Sequence, residues 1–110
     1  CYVLLEVARP IYVGISQRVI SRLMQHVRGT THCDASLAYR IAANRNPHEM
    51  SRSSAMEDEQ FQPHFDQAKN YLRGLNVAFI RIENPVELYL FEVYCAMELD
   101  TSEWNKFETH

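Results

Sequence analysis

Two hydrophobic periods alternate along the chain, and each stretch of constant period predicts one element. Residues 2–7 and 11–13 are short apolar runs rich in β-branched and aromatic side chains, with Ala8-Arg9-Pro10 between them. They predict a two-stranded hairpin. Pro10 lacks a backbone N–H, which suits an edge strand or the first position of a strand. From Ser16 the period becomes helical, with Ile15, Val19, Leu23 and Val27 in one stripe and Ile20 and Met24 beside it. Ser16 is expected to cap this helix, and Gly29 to end it in the left-handed conformation. A second helix is expected with Asp34 as its cap and Leu37, Ala38, Ile41 and Ala42 facing inward, ending at Asn46-Pro47.

Residues 46–60 are polar and carry Ser-Arg-Ser-Ser and Met-Glu-Asp-Glu without an apolar period. They read as an exposed, mobile insertion, which is either a substrate loop or disordered. Pro63 belongs in the first turn of a third helix, with Phe65, Ala68, Tyr71 and Leu72 on one side and Gly74 as its stop. Residues 77–82 are apolar on both faces, as expected of a central strand. Asn84-Pro85 opens the last helix, and Glu87, three residues after the cap, completes a capping-box-like start. The predicted order is β-β-α-α-loop-α-β-α: a small α/β domain with a three-stranded sheet flanked by helices.

Composition fits one domain spanning all 110 residues, with 46% apolar and 23% charged residues, which argues against wholesale disorder. A formal charge of −3 argues against attachment to nucleic acid or membrane by bulk charge alone. No apolar run reaches the roughly 18 residues of a spanning helix, and the first residues lack a signal-peptide pattern. Cys1, Cys33 and Cys95 are odd in number and contain no C-x-x-C, so neither a disulfide scaffold nor a Cys-rich zinc site is expected. A reducing cytoplasm is the expected location. The start at Cys1 without an initiating Met reads as a fragment or a trimmed chain.

Charge is uneven along the sequence. Residues 1–53 hold seven arginines against three acidic groups, a balance of +4, and residues 54–110 balance at −7. Arginine suits bidentate phosphate contacts, although in a short chain chance produces the same asymmetry.

Three groups carry chemistry. On the last helix Glu92 falls on the stripe of Leu88, Cys95, Ala96 and Leu99, whereas Glu87 and Glu98 fall on the far side. An inward carboxylate needs a compensating cation. That cation is either a metal ion or an arginine such as Arg22 or Arg81, unless the helix turns Glu92 to the rim. On the first helix Arg18, Arg22 and His26 stand at i, i+4 and i+8, a column that either presents to a phosphate or forms a solvated basic face. His32, His48, His64 and His110 show no metal-ligand spacing. No Gly-rich phosphate loop, G-x-S-x-G or H-E-x-x-H is present, so those hydrolase classes lack support.

Taken in order, Cys1-Tyr2-Val3, Tyr12-Val13-Gly14, Arg22, His26, Glu92 and Asn105 resemble the motifs of the GIY-YIG nucleases. Cys1 takes the aliphatic place before the first tyrosine. Arg22 stands eight residues past Gly14, where the family keeps its helical arginine, and Glu92 stands where it keeps its metal-binding glutamate. Asn105, in Trp104-Asn105-Lys106-Phe107, takes the place of the terminal asparagine. The resemblance runs from Tyr2 to about His110, with residues 44–62 as an insertion relative to shorter members.

It implies a divalent-metal-dependent endonuclease that hydrolyses DNA phosphodiester bonds with one Mg²⁺ or Mn²⁺ per site. Glu92 would be the metal ligand and Arg22 the fixed charge facing the transition state. One phenol of Tyr2 and Tyr12 would orient or deprotonate the attacking water. Because only about 0.1% of a free tyrosine is phenolate at pH 7, His26 is the candidate proton acceptor. Asn105 would hold geometry, and Arg18, Arg22, Arg28 and His32 are the expected DNA contacts. Cutting both strands would call for a homodimer, and sequence choice for the insertion or a further DNA-recognition domain. The competing reading is a non-catalytic nucleic-acid or protein-binding module on the same fold, with both tyrosines serving as core packing.

Overall fold

The hairpin closes through a two-residue turn, Val7-Ala8, in the computed structural model, which describes residues 1–107. Strand β1 (Tyr2–Glu6) pairs antiparallel with β2 (Arg9–Gly14), Glu6 opposite Arg9 and Tyr2 opposite Gly14. The register shifts by one between Leu4 and Leu5, which face Tyr12 and Pro10. Ile11 is thus the extra residue of a β-bulge, set beside the proline that could not have continued the ladder.

The third strand, β3 (Asn76–Phe79), pairs antiparallel with the other side of β1, so the strand order is β2-β1-β3. It was expected at residues 77–82 as a central strand. It is instead an edge strand, and all four of its residues are exposed. A double-faced apolar run marks a central strand only when both faces are covered. Here β1 holds the central position, and Tyr2 and Leu4 are buried on it.

Five helices are described: α1 (Val19–Arg28), α2 (Ser36–Arg45), α3 (Arg52–Glu57), α4 (Gln62–Arg73) and α5 (Pro85–Glu98). The Oγ of Ser16 accepts from the N–H of Arg18 at 2.9 Å, in a turn that precedes α1 by two residues. Gly29 follows α1 as expected, but not in the left-handed conformation. What it supplies is clearance, since a Cβ there would lie 2.6 Å from the Gln25 carbonyl and 2.9 Å from the Asp34 Cβ.

The apolar stripe expected on α1 is also displaced. Ile20 and Met24 are exposed, and the only buried residue of the helix is His26. At about 100° per residue the inward direction runs through Arg22, Val19 and Leu23, and the five apolar positions of α1 cover more of the circumference than one face.

Helix α2 starts at Ser36 with Ala35 as its cap and no capping side chain. Asp34 stands one residue before the cap and does not cap the helix, and its own N–H donates to the Thr31 Oγ1 at 3.1 Å. Leu37, Ala38, Ile41 and Ala42 are buried as expected, together with Tyr39. The stretch read as structureless contains α3. The Ser51 Oγ accepts the Ser54 N–H at 3.2 Å, and Ala55 is buried. A six-residue helix held by one alanine leaves no hydrophobic period to detect. Helix α4 carries Pro63 in its first turn, buries Phe65, Ala68 and Leu72, and packs on α2.

The chain divides into two compact units, one of Cys1–Val19 with Leu75–His110 and one of Ile20–Gly74. The first holds the sheet and α5. Its core joins Cys1, Val13 and Leu88, with Val3, Ile15, Ile82, Phe91 and Cys95 packed against them. The second holds most of α1 together with α2, α3 and α4. Among the described residues no helix is long and apolar enough to cross a membrane.

Candidate active site

In the sheet unit the antiparallel register decides which side chains share a face. Tyr2 faces Gly14 and Leu4 faces Tyr12, so the two tyrosines are diagonal neighbours on one face. Their ring centroids are 6.3 Å apart and their planes tilted by 51°. Tyr2 is buried and Tyr12 half-buried, so Tyr12 is the phenol that solvent can reach. Gly14 makes this packing possible. A Cβ at residue 14 would collide with the Tyr2 ring, 2.8 Å from its Cε1 and nearer still to Cζ and the hydroxyl. The glycine of the Tyr12-Val13-Gly14 motif is thus required by the tyrosine of the other motif.

Asn105 lies beyond α5 and reaches back to the outer edge of β2. Its Oδ1 accepts the Val13 N–H at 2.8 Å, and its Nδ2 donates to the Val13 carbonyl at 2.7 Å. One buried side-chain amide therefore does the work of a neighbouring strand at the residue between Tyr12 and Gly14. The chain is turned toward this contact by Asp100, at φ 52°, and by the N–H of Asn105 donating to the Thr101 carbonyl at 2.9 Å.

Glu92 lies on the inward side of α5, half-buried, while Glu87 and Glu98 are exposed. Burial raises its pKa above the usual carboxylate range, and the positive amino group of Cys1 partly offsets this. Cys95, one turn further along, has its thiol pKa raised by burial. Arg81, one of the alternative partners, pairs with Glu83 at 3.2 Å on the exposed side. No described side chain forms an ion pair or hydrogen bond with Glu92.

The other candidates lie in the helical unit, apart from Arg18, which is exposed one residue before α1. The Nη1 of Arg22 donates to the Gln25 Oε1 and to the Asp34 carbonyl, both at 2.9 Å. Those bonds fix the guanidinium plane, and among the described residues neither Nε nor Nη2 is engaged. His26 is 1% exposed, so it does not belong to a solvated column. Burial first, then the charges of Arg22 and Arg40, lower its pKa to about 4. It is therefore neutral at pH 7, not poised near the ordinary value of 6.5. Arg28 is exposed, and His32 is half-buried with its ring 6.0 Å from that of Tyr39.

Two features escaped the sequence. The first is the use of the Asp34 carbonyl, not its side chain, to hold Arg22. The second is a ring cluster in which the Tyr39 hydroxyl lies 3.1 Å from the His48 Nε2, His48 meets Phe61 edge to face, and the Arg52 guanidinium stands 5.4 Å over Tyr39. Neither leaves a periodic trace in the sequence.

The donor chemistry is compatible with a hard divalent cation. Among the described residues no cation contacts the carboxylate oxygens of Glu92, in a setting where burial makes a charge costly. No group of three His, Cys, Asp or Glu side chains able to hold a metal is found among the described residues. An ion at Glu92 would take its remaining ligands from water and phosphate. No family model, curated protein or solved structure matches the chain.

Proposed function

We propose that this chain is a metal-dependent endonuclease of the GIY-YIG type that hydrolyses phosphodiester bonds in DNA. The observation that carries the reading is the half-buried, unpaired carboxylate of Glu92, in the same unit as a tyrosine pair locked in place by Gly14 and Asn105. A packed core has no use for a half-buried carboxylate that no described side chain pairs with. The Asn105 amide fixes the strand residue between Tyr12 and Gly14 and so holds the tyrosine pair in place.

The roles follow from the chemistry of each group. Glu92 would hold Mg²⁺ or Mn²⁺, and a bound cation supplies Lewis-acid polarisation of a phosphate oxygen. The accessible phenol of Tyr12 would orient the attacking water, with Tyr2 fixing the ring beside it. Arg22, already held through Nη1, keeps Nε and Nη2 for a phosphate oxygen and adds fixed positive charge where the transition state gains negative charge. His26 is a weak base with a pKa of about 4. Its role as proton acceptor is therefore restricted to the neutral imidazole, which is available throughout the physiological range. Arg18, Arg28 and His32 remain candidate DNA contacts.

The test is a nicking assay on supercoiled DNA with Mg²⁺. The parent chain is expected to cut. Arg22→Ala is expected to slow cleavage by at least a hundredfold, the effect of losing about 3 kcal/mol of transition-state stabilisation, with unchanged circular dichroism. Equal cutting by parent and variant would remove Arg22 from the site. A parent that binds DNA without cutting it would favour the non-catalytic module.

A further inference from the structure

Two acceptors meet the Nη1 of Arg22, one from its own helix and one from the loop that follows it. The Gln25 Oε1 stands at i+3 on α1, on the side of the helix that Arg22 occupies, and accepts at 2.9 Å. The Asp34 carbonyl, twelve residues beyond Arg22, accepts at the same 2.9 Å. The loop is shaped to bring that carbonyl in. Gly29 lets Asp34 approach, because a Cβ on residue 29 would lie 2.9 Å from the Asp34 Cβ. The Thr31 Oγ1 accepts the Asp34 N–H at 3.1 Å, and the Thr31 carbonyl accepts the Ala35 N–H at 3.0 Å. A guanidinium is planar, and the two N–H groups of one nitrogen leave in fixed directions within that plane. One acceptor lets the group swing about a single bond, whereas two fix its plane. With Nη1 occupied, the open edge is that of Nε and Nη2, a pair of parallel N–H groups that matches two phosphate oxygens.

We infer that Gln25 is a positioning residue for Arg22: with the Asp34 carbonyl it fixes the guanidinium plane, so that the Nε–Nη2 edge is already aimed when a DNA phosphate arrives. The inference rests on the role proposed for Arg22 above and adds to it a side chain that touches no substrate. The chemistry of the acceptor suits the task. An amide oxygen holds the guanidinium without cancelling its charge, as a carboxylate at residue 25 would. A free arginine side chain loses much rotamer freedom when it is ordered. Here that freedom is given up in the folded protein, so it does not add to the barrier of the reaction. Gln25 is exposed and Arg22 half-buried, and such an i, i+3 contact adds little to the stability of a helix.

The experiment compares the parent with Gln25→Met, which keeps the length of the side chain and removes the acceptor. NMR relaxation of the Arg22 Nε–H is expected to report an ordered guanidinium in the parent and a mobile one in the variant, at an unchanged melting temperature. Nicking of supercoiled DNA with Mg²⁺ is expected to show kcat lowered about tenfold and KM changed by less than about twofold. In an Arg22→Lys background no planar fork is left to orient. There Gln25→Met is expected to change kcat by less than about twofold, whereas a purely structural loss would slow both backgrounds alike. A guanidinium equally ordered with and without Gln25 overturns the inference, and so does a tenfold loss that persists beside Arg22→Lys. A parent that cuts no faster than Gln25→Met overturns this inference alone, while a parent that does not cut overturns the proposed function on which it rests.

Discussion

Burial moves the pKa values of two residues of the candidate site, His26 and Glu92, in opposite directions, and each leaves a measurable trace. For His26 it stabilises the neutral form and lowers the pKa from 6.5 to about 4. Between those values the unfolded chain binds the proton and the folded chain does not. The folded state therefore gains stability as pH rises through this window and holds it fully above pH 6.5. At about 1.4 kcal/mol per unit, the loss on acidification to pH 4 is about 3 kcal/mol from this residue alone. Urea unfolding at pH 7 and near pH 4.5 should show the parent losing more stability than His26→Gln. Equal losses would contradict the assigned burial.

Asn105 gives a second residue-scale prediction. Removing its amide leaves a buried N–H and a buried C=O on Val13 without partners, so Asn105→Ala should cost about 2–4 kcal/mol of unfolding free energy. Asn105→Asp keeps the acceptor for the Val13 N–H and loses the donor, and should fall between the two. A full-length fold with unchanged stability in Asn105→Ala would show that the clamp does not hold β2.

Among the elements, the hairpin turn contains an avoidable strain. Val7 adopts φ 59° and is 86% exposed, so a β-branched residue stands in the left-handed region with nothing packed on it to compensate. Val7→Gly should raise stability by about 1 kcal/mol in thermal or urea unfolding. A loss instead would mean that the flexibility glycine gives the unfolded chain dominates at this turn. The hairpin, α4 and the Asn84 cap of α5 were legible because in each the hydrophobic period and the terminal residues agree, and α2 through its buried period and its end at Asn46, though not through its cap. The Asn84 Oδ1 accepts the N–H groups of Val86 and Glu87 at 2.9 and 3.1 Å. The misread elements lack that agreement. The apolar stripe of α1 is wider than the face it buries, β3 is an apolar strand at an uncovered edge, and α3 is too short to show a period. Gly29 illustrates the same limit at a single position, since sequence suggested a backbone conformation where the fold needed only room.

For the whole molecule, the charge asymmetry along the sequence does not map onto the two units. Arg9 and Arg18 belong with the sheet, whereas Glu57, Asp58 and Glu59 belong with the helices. The helical unit thus carries seven basic and six acidic side chains, and the sheet unit four basic and eight acidic. Bulk charge therefore draws a polyanion only weakly to the helical unit and repels it from the sheet unit, so the divalent cation proposed at Glu92 would have to offset that repulsion for a phosphate to approach. Of the candidate site, the shared face of Tyr2 and Tyr12 was legible in the sequence, because strand register follows a period of two. The sequence did not show what holds them: the Gly14 clearance and the Asn105 clamp arise from contacts between elements distant in the chain.

On the proposed function, Glu92 is kept inward and unpaired for a metal ion and not for stability. Because its pKa is raised by burial, ionisation weakens the fold as pH rises past the ordinary carboxylate value. The uncharged isostere Glu92→Gln should therefore be at least as stable as the parent at neutral pH. The decisive measurement compares parent and Glu92→Gln on a panel of labelled duplex, single-stranded and branched DNA with Mg²⁺ or Mn²⁺, alongside their melting temperatures. The expected result is metal-dependent cleavage by the parent, none by the variant, and an equal or higher melting temperature for the variant. Cleavage that survives the substitution, or a variant that loses both stability and activity together, would contradict it.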